Sequence, residues 1–295
     1  MSPRSGPGSV VVVVPLPTRP LNGDEVMALA QLRRVLGAYE TVLLAPPGGP
    51  VPDGEGPVMR VPRRFFGSAK AHGALLVSRR FYQAFSAYEF MLIYHLDAFV
   101  FSDQLADWCT KGYSYIGPPW FEYTTIPPSP QGAGTGGFSL RRVASCLAVL
   151  DSRVPWIPPR EYWQEQKRAG VSLVRRSAFT ALKCVGPLNG VRWQVRHLNR
   201  YGSAEDNFWA QRATHYEPGF LLPPPEEALA FGWGKEPRLC HWLANGRLPF
   251  GCHGWSRPEN RDFWLPILRA CAERPYPANQ SQVRARPSSS PTLTW

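Results

Sequence analysis

The chain has 295 residues, 44% of them hydrophobic and 13% aromatic, enough to bury a sizeable core as one large domain or two small ones. Lys and Arg outnumber Asp and Glu by 33 to 22, and the resulting charge of +11 implies an anionic partner: nucleotide phosphate, lipid headgroup or nucleic acid. No apolar run reaches membrane-spanning length, residues 10–14 lack the flanks of a signal peptide, and the six cysteines show no CxxC spacing, which argues against a span, a zinc knuckle and a disulfide framework. A soluble, cytoplasmic protein with reduced thiols is expected. The arginines are scattered singly or in pairs with no recognised nucleic-acid motif, so a solvated surface accounts for most of them.

Residues 1–8 read as a disordered Pro/Gly/Ser leader and residues 276–295 as a disordered polar tail, leaving residues 9–275 for one domain. Residues 10–16 predict a buried strand ending in a proline-broken loop, followed by an amphipathic helix over residues 23–36 and a strand over 41–45. This is the β-α-β opening of a doubly wound α/β sheet. It carries no GxGxxG, so a dehydrogenase-type dinucleotide site is disfavoured. Next comes the most informative stretch, the apolar run Phe90-Met91-Leu92-Ile93-Tyr94 leading into His95-Leu96-Asp97. The run suits a central, doubly covered strand, and an acid at its C-terminal end sits where open α/β sheets bind ligands. Asp97 as a helix cap is the competing reading, but Ser102 and Asp103 can fill that role. A helix near residues 103–110, a short strand at 113–116 and a loop Gly117-Pro118-Pro119-Trp120 follow.

Three further blocks carry chemistry. Residues 132–141 form a glycine-rich turn feeding a strand and then a helix over 141–150; glycine there lets a backbone approach a ligand, though any tight loop needs it equally. Glu205-Asp206 opens a predicted helix, where one acid suffices for the helix dipole and a second is free to act as a general base. His253 stands in a glycine-flanked loop, Gly251-Cys252-His253-Gly254-Trp255. A lone histidine is more often structural, but a neutral imidazole in a loop is a standard metal ligand.

In this order, the blocks at residues 96–101, 115–120, 136–141, 205–206 and 249–253 resemble GT-A-type glycosyltransferases. The resemblance is closest to a bacterial and fungal family of uncharacterised glycosyltransferase-like domains, covers residues 10–272, and extends more distantly to fringe-type inverting transferases. It implies a GT-A-like (Rossmann-like) doubly wound mixed sheet in a single domain with a helical C-terminal part. It also implies transfer of a sugar from a nucleotide-diphosphate donor to an acceptor hydroxyl with inversion, assisted by Mn²⁺ or Mg²⁺.

Carried onto this chain, the resemblance makes Asp97 a metal ligand with His253, Asp206 the base and Glu205 its reserve. Donor contacts would come from Pro15, Leu16 and Thr18 after the first strand, from His95 and Asp97, and from Trp120, Gly136 and Gly137 lining the sugar and acceptor cleft. The chain departs from the acid-rich metal motif: His95 stands where a first acid would be and Leu96 replaces the middle one, or else Asp97 is the first acid and Phe99 replaces the second. Either register keeps Asp97, and His95 is free to meet ribose or phosphate. Two alternatives remain: a non-catalytic nucleotide-sugar or carbohydrate-binding domain, and a transferase acting on modified nucleic acid bases.

Overall fold

The computed structural model describes residues 9–52, 56–197 and 205–273; the expected leader and tail lie outside these. The N-terminal half runs β1 (Val10–Pro15), α1 (Gly23–Leu36), β2 (Glu40–Ala45), β3 (Val58–Arg60), α2 (Ala69–Leu76), α3 (Arg79–Ala84), β4 (Phe90–Tyr94), β5 (Ala98–Val100), α4 (Leu105–Thr110), β6 (Tyr115–Ile116), β7 (Pro119–Glu122), β8 (Ser129–Ala133) and β9 (Phe138–Arg142). It continues through helices α5 (Val143–Asp151), α6 (Pro159–Arg168), α7 (Leu173–Cys184), α8 (Gly186–Asn189), α9 (Val191–His197), α10 (Glu205–Gln211), α11 (Ala213–Tyr216) and α12 (Pro225–Phe231). The last elements are β10 (Gly232–Trp233), α13 (Pro237–Leu243), β11 (Gly251–His253) and α14 (Pro258–Glu273).

The central sheet has the order β3-β2-β1-β4-β9-β6. The strands from β3 to β4 are parallel, and β9 runs antiparallel between β4 and β6. The expected α/β mixed sheet of Rossmann type is therefore the fold, and the alternation of β1 shows why it is doubly wound. Val11 and Val13 point into one core with Met91, Ile93 and the residues of α2, α3, α5 and α10, whereas Val10, Val12 and Val14 point into a second core with Leu92, Tyr94 and α1. A strand buried on both faces must be apolar at every position, which is what five consecutive valines supply. α1 starts where expected because Asn22 accepts from the Glu25 N–H while Glu25 accepts from the Asn22 N–H, both at 2.9 Å.

Three local expectations are corrected. The helix expected from residue 103 starts at Leu105 with an N-cap, Gln104, that makes no side-chain cap bond; Asp103 instead accepts from the Tyr39 hydroxyl at 3.0 Å, so Ser102 and Asp103 do not cap it. The prolines at 118 and 119 signal a loop, but Pro119–Glu122 is β7, paired antiparallel to β8 in a two-stranded ribbon. A proline beginning such a ribbon forfeits no ladder bond. His253, expected in a loop, closes β11, which pairs antiparallel with β5 so that His253 lies opposite Ala98.

Candidate functional site

The chain leaves the central sheet at Tyr94, makes one turn through His95, Leu96 and Asp97, and enters a second, small sheet as β5. The carbonyl of Asp97 accepts from the backbone N–H groups of Gly254 (2.8 Å) and Trp255 (3.2 Å), tying this turn to the end of β11. The small sheet β10-β11-β5 thus delivers a histidine from the far end of the chain to the edge of the main sheet. His253 Nε2 lies 3.2 Å from Asp97 Oδ1, and the His95 and His253 rings stand edge to face with centroids 5.4 Å apart. One ligand atom from each of His95, Asp97 and His253 can be chosen so that all lie within 4.8 Å of one another.

The glycine loop before β9 faces this group. A Cβ on Gly137 would sit 2.1 Å from His253 Nε2 and 2.6 Å from His95 Nδ1; one on Gly136 would sit 1.9 Å from Glu205 Oε1; one on Gly134 would sit 2.5 Å from Trp120 Cδ1. Successive glycines therefore seat an indole, a carboxylate and two imidazoles in line along one loop. The His95 N–H donates to the Gly137 carbonyl at 2.8 Å, which holds the loop against the strand end.

Behind the loop lies Arg141, wholly buried. Its guanidinium donates to Ser139 Oγ (3.0 Å), to the Tyr82 hydroxyl (2.9 Å) and to both oxygens of Glu205 (3.2 Å each), and it lies over the Tyr115 ring. Ser139 Oγ in turn donates to the Gly136 carbonyl at 2.7 Å. A buried charge persists only when paired and hydrogen-bonded, and Arg141 meets that condition through Glu205.

This separates the two acids at the start of α10. Glu205 is buried and clamped, and burial pushes its carboxyl up to about 7 against the pull of Arg141. Asp206 is only part-buried; burial raises its pKa too, opposed by the Asn207 N–H, which donates to Oδ1 at 2.9 Å, and by Arg141, the Gly136 backbone and His253.

A residue without a place in the motif reading completes the site. His72, from α2, puts its Nε2 2.9 Å from His95 Nε2, so one ring must donate and the other accept. Burial, with Arg141 nearby, lowers its pKa to about 4, and burial together with His72 and His253 holds His95 well below its ordinary value, so both imidazoles are neutral near pH 7. Burial alone would raise Asp97; His253, His95 and Arg257 instead hold it below the usual carboxylate range. The neutral His95 imidazole beside the ionised Asp97 carboxylate, with the His253 ring next to both, is a group that could hold a cation.

The sequence model of a family described as protein of unknown function (DUF5672) matches residues 56–253. The chain belongs to that family. The DUF5672 span takes in His72, His95, Asp97, Trp120, the glycine loop, Arg141 and the acidic pair, and ends on His253. No curated protein matches this chain significantly. Among solved structures, a glycosyltransferase involved in the glycosylation of the major capsid of PBCV-1 is similar at 9% identity and a TM-score of 0.38, over 87% of this chain and 98% of that one.

The remaining expected donor contacts lie outside the family span, at the carboxyl end of β1. There Pro15 is half-buried, Thr18 is exposed, and Leu16 is buried in the core with Tyr94 and Leu96, its N–H donating to the Leu44 carbonyl at 2.8 Å. A ligand at that edge meets Pro15 and Thr18 and not the Leu16 side chain. Among the described residues no helix is long and apolar enough to cross a membrane, and all six cysteines are free.

Proposed function

We propose that this DUF5672 protein is a glycosyltransferase that moves a sugar from a nucleoside-diphosphate donor to an acceptor hydroxyl with inversion, using a divalent cation. The observation that carries the reading is the grouping of His95, Asp97 and His253 within 4.8 Å of one another, both imidazoles packed on Gly137, with Asp206 one residue along the same loop at Gly136. The residues fit a cation: two imidazoles, one carboxylate, and a glycine whose missing side chain lets both imidazoles close up. That nitrogen-rich set favours Mn²⁺ over Mg²⁺, which prefers oxygen ligands alone. Bound there, the ion supplies charge neutralisation for the departing diphosphate.

The chain's own groups have separate tasks. The Asp206 carboxylate takes the proton of the acceptor hydroxyl as that oxygen bonds to the sugar's anomeric carbon and the bond to the diphosphate breaks. Glu205 holds Arg141, and Arg141 holds the loop through the Gly136 carbonyl and Ser139. The part-exposed indole of Trp120 offers an apolar face to the sugar's C–H surface, and half-buried Pro15 and exposed Thr18, at the carboxyl end of β1, meet the base and ribose.

The test is a thermal-shift screen of nucleoside diphosphates and their sugars with and without Mn²⁺, followed by donor-hydrolysis assays on any hit. A ligand at 100 times its Kd stabilises by about 2.7 kcal/mol. A Mn²⁺-dependent shift with one nucleotide class and slow release of free sugar supports the reading, whereas binding without any turnover would favour a non-catalytic nucleotide-sugar-binding domain.

A further inference from the structure

Residues 152–196 carry nine Lys and Arg against two Glu, so this one stretch supplies +7 of the chain's +11. It holds the helices α6 to α9, and neither α6 nor α7 has a buried residue. Anchorage to the main core comes instead from Trp156, Val191 and Val195 at its two ends. α7 is turned the wrong way round for a globular surface. Arg176 stacks over Trp163 at 4.2 Å, and Lys183 lies over Tyr162 at 5.3 Å and Trp193 at 5.6 Å, so its cationic face packs on the aromatics of α6 and α9. The face turned outward reads Val174, Ala178, Ala181, Leu182, Val185, at the i, i+4, i+7, i+8, i+11 spacing by which helices ordinarily meet a core. All five are exposed, Val174 to 80% and Leu182 to 49%, and Leu173 beside them to 63%.

We propose that this helical stretch docks on an anionic lipid surface, with the α7 stripe in the headgroup–acyl boundary and the surrounding arginines against lipid phosphates. Charge chooses the occupant. A second copy of the chain would set +7 against +7, and a nucleic acid offers nothing to an aliphatic stripe, whereas an acidic bilayer answers both features at once. Exposed Arg175 and Arg192 represent the cationic arm of the contact, Val174 and Leu182 the apolar arm. The inference rests on this surface alone and stands or falls independently of the sugar-transfer reading.

The test is flotation of the full chain with vesicles of phosphatidylcholine alone or mixed with phosphatidylglycerol. Binding to the mixed vesicles only, weakened by salt, is expected. Each of Arg175→Gln and Arg192→Gln should lower partitioning about fivefold, and the Arg→Lys versions should retain it. Val174→Glu with Leu182→Glu should abolish binding at an unchanged Tm, since both side chains face solvent. No flotation at low salt, equal binding to neutral vesicles, or full binding by the double Glu variant would overturn the proposal. So would a lipid-free dimer in analytical ultracentrifugation that Val174→Glu dissolves, which would mark the stripe as a contact between copies.

Discussion

Gly137→Ala tests the candidate cation site with one methyl group. The position has no left-handed φ, so alanine costs nothing in backbone strain, and the reduced entropy of the unfolded chain contributes roughly 0.4–1 kcal/mol of stability. Against this, the new Cβ would lie 2.1 Å from His253 Nε2 and 2.6 Å from His95 Nδ1, where ordinary contact begins near 3.4 Å. At least one imidazole must retreat by about 1 Å. Both rings are held, His253 by its strand and His95 by His72, and overpacking of this kind costs about 1–3 kcal/mol. The net loss is about 1–2 kcal/mol, read as a fall of roughly 2–8 °C in Tm.

The effect on cation binding is larger than the effect on the fold. Sites need their ligands within about 0.5 Å, and disturbing the support of a metal ligand commonly costs about 10- to 100-fold in affinity. Calorimetric titration with Mn²⁺ should therefore show Gly137→Ala binding at least tenfold more weakly. Gly132→Ala is the control: it lies in the same glycine-rich segment with nothing within 4 Å of an added Cβ and no positive φ, and should leave both readouts unchanged. Equal Mn²⁺ affinity in wild type and Gly137→Ala would refute the argument that the two imidazoles packed on this glycine hold the cation.

Asp206→Asn should lower transfer by about 10²- to 10⁴-fold in a donor-consumption assay while donor affinity, followed by calorimetry, is kept. Arg141→Met leaves Glu205 buried without its partner and should cost about 3–5 kcal/mol by urea denaturation, the amount typical of breaking a buried pair from one side. Glu205 makes stability pH-dependent in a definite direction: its folded pKa of about 7 lies above its unfolded value near 4.5, so the folded state holds the extra proton, and its contribution falls as pH rises from about 4.5 to about 7. Glu205→Gln should flatten that slope in melts taken across the range. His72→Phe should weaken Mn²⁺ binding about 10- to 100-fold at a near-native Tm, because it removes the partner that orients His95.

Local chemistry determined the parts of this protein that the sequence by itself makes legible. Five consecutive valines are a doubly buried strand, the Asn22 and Glu25 pair is a helix start, and Phe90 to Tyr94 is a central strand whose end presents His95 and Asp97, because each of these needs only its own side chains and the periodicity of a helix or strand. The acidic pair at 205 and 206 was legible as a helix start for the same reason. Tertiary structure decided how these parts combine. His253 is a strand residue only because β11 finds β5 more than 150 residues earlier, and Pro119–Glu122 is a strand only because β8 pairs with it. Which acid is clamped depended on Arg141, 64 residues away in the chain, and His72 joined the site through the packing of α2 beside β4, with no motif to announce it. Such pairings repay their loop-closure entropy only after the sheet has formed around them, so no window of neighbouring residues carries their signal.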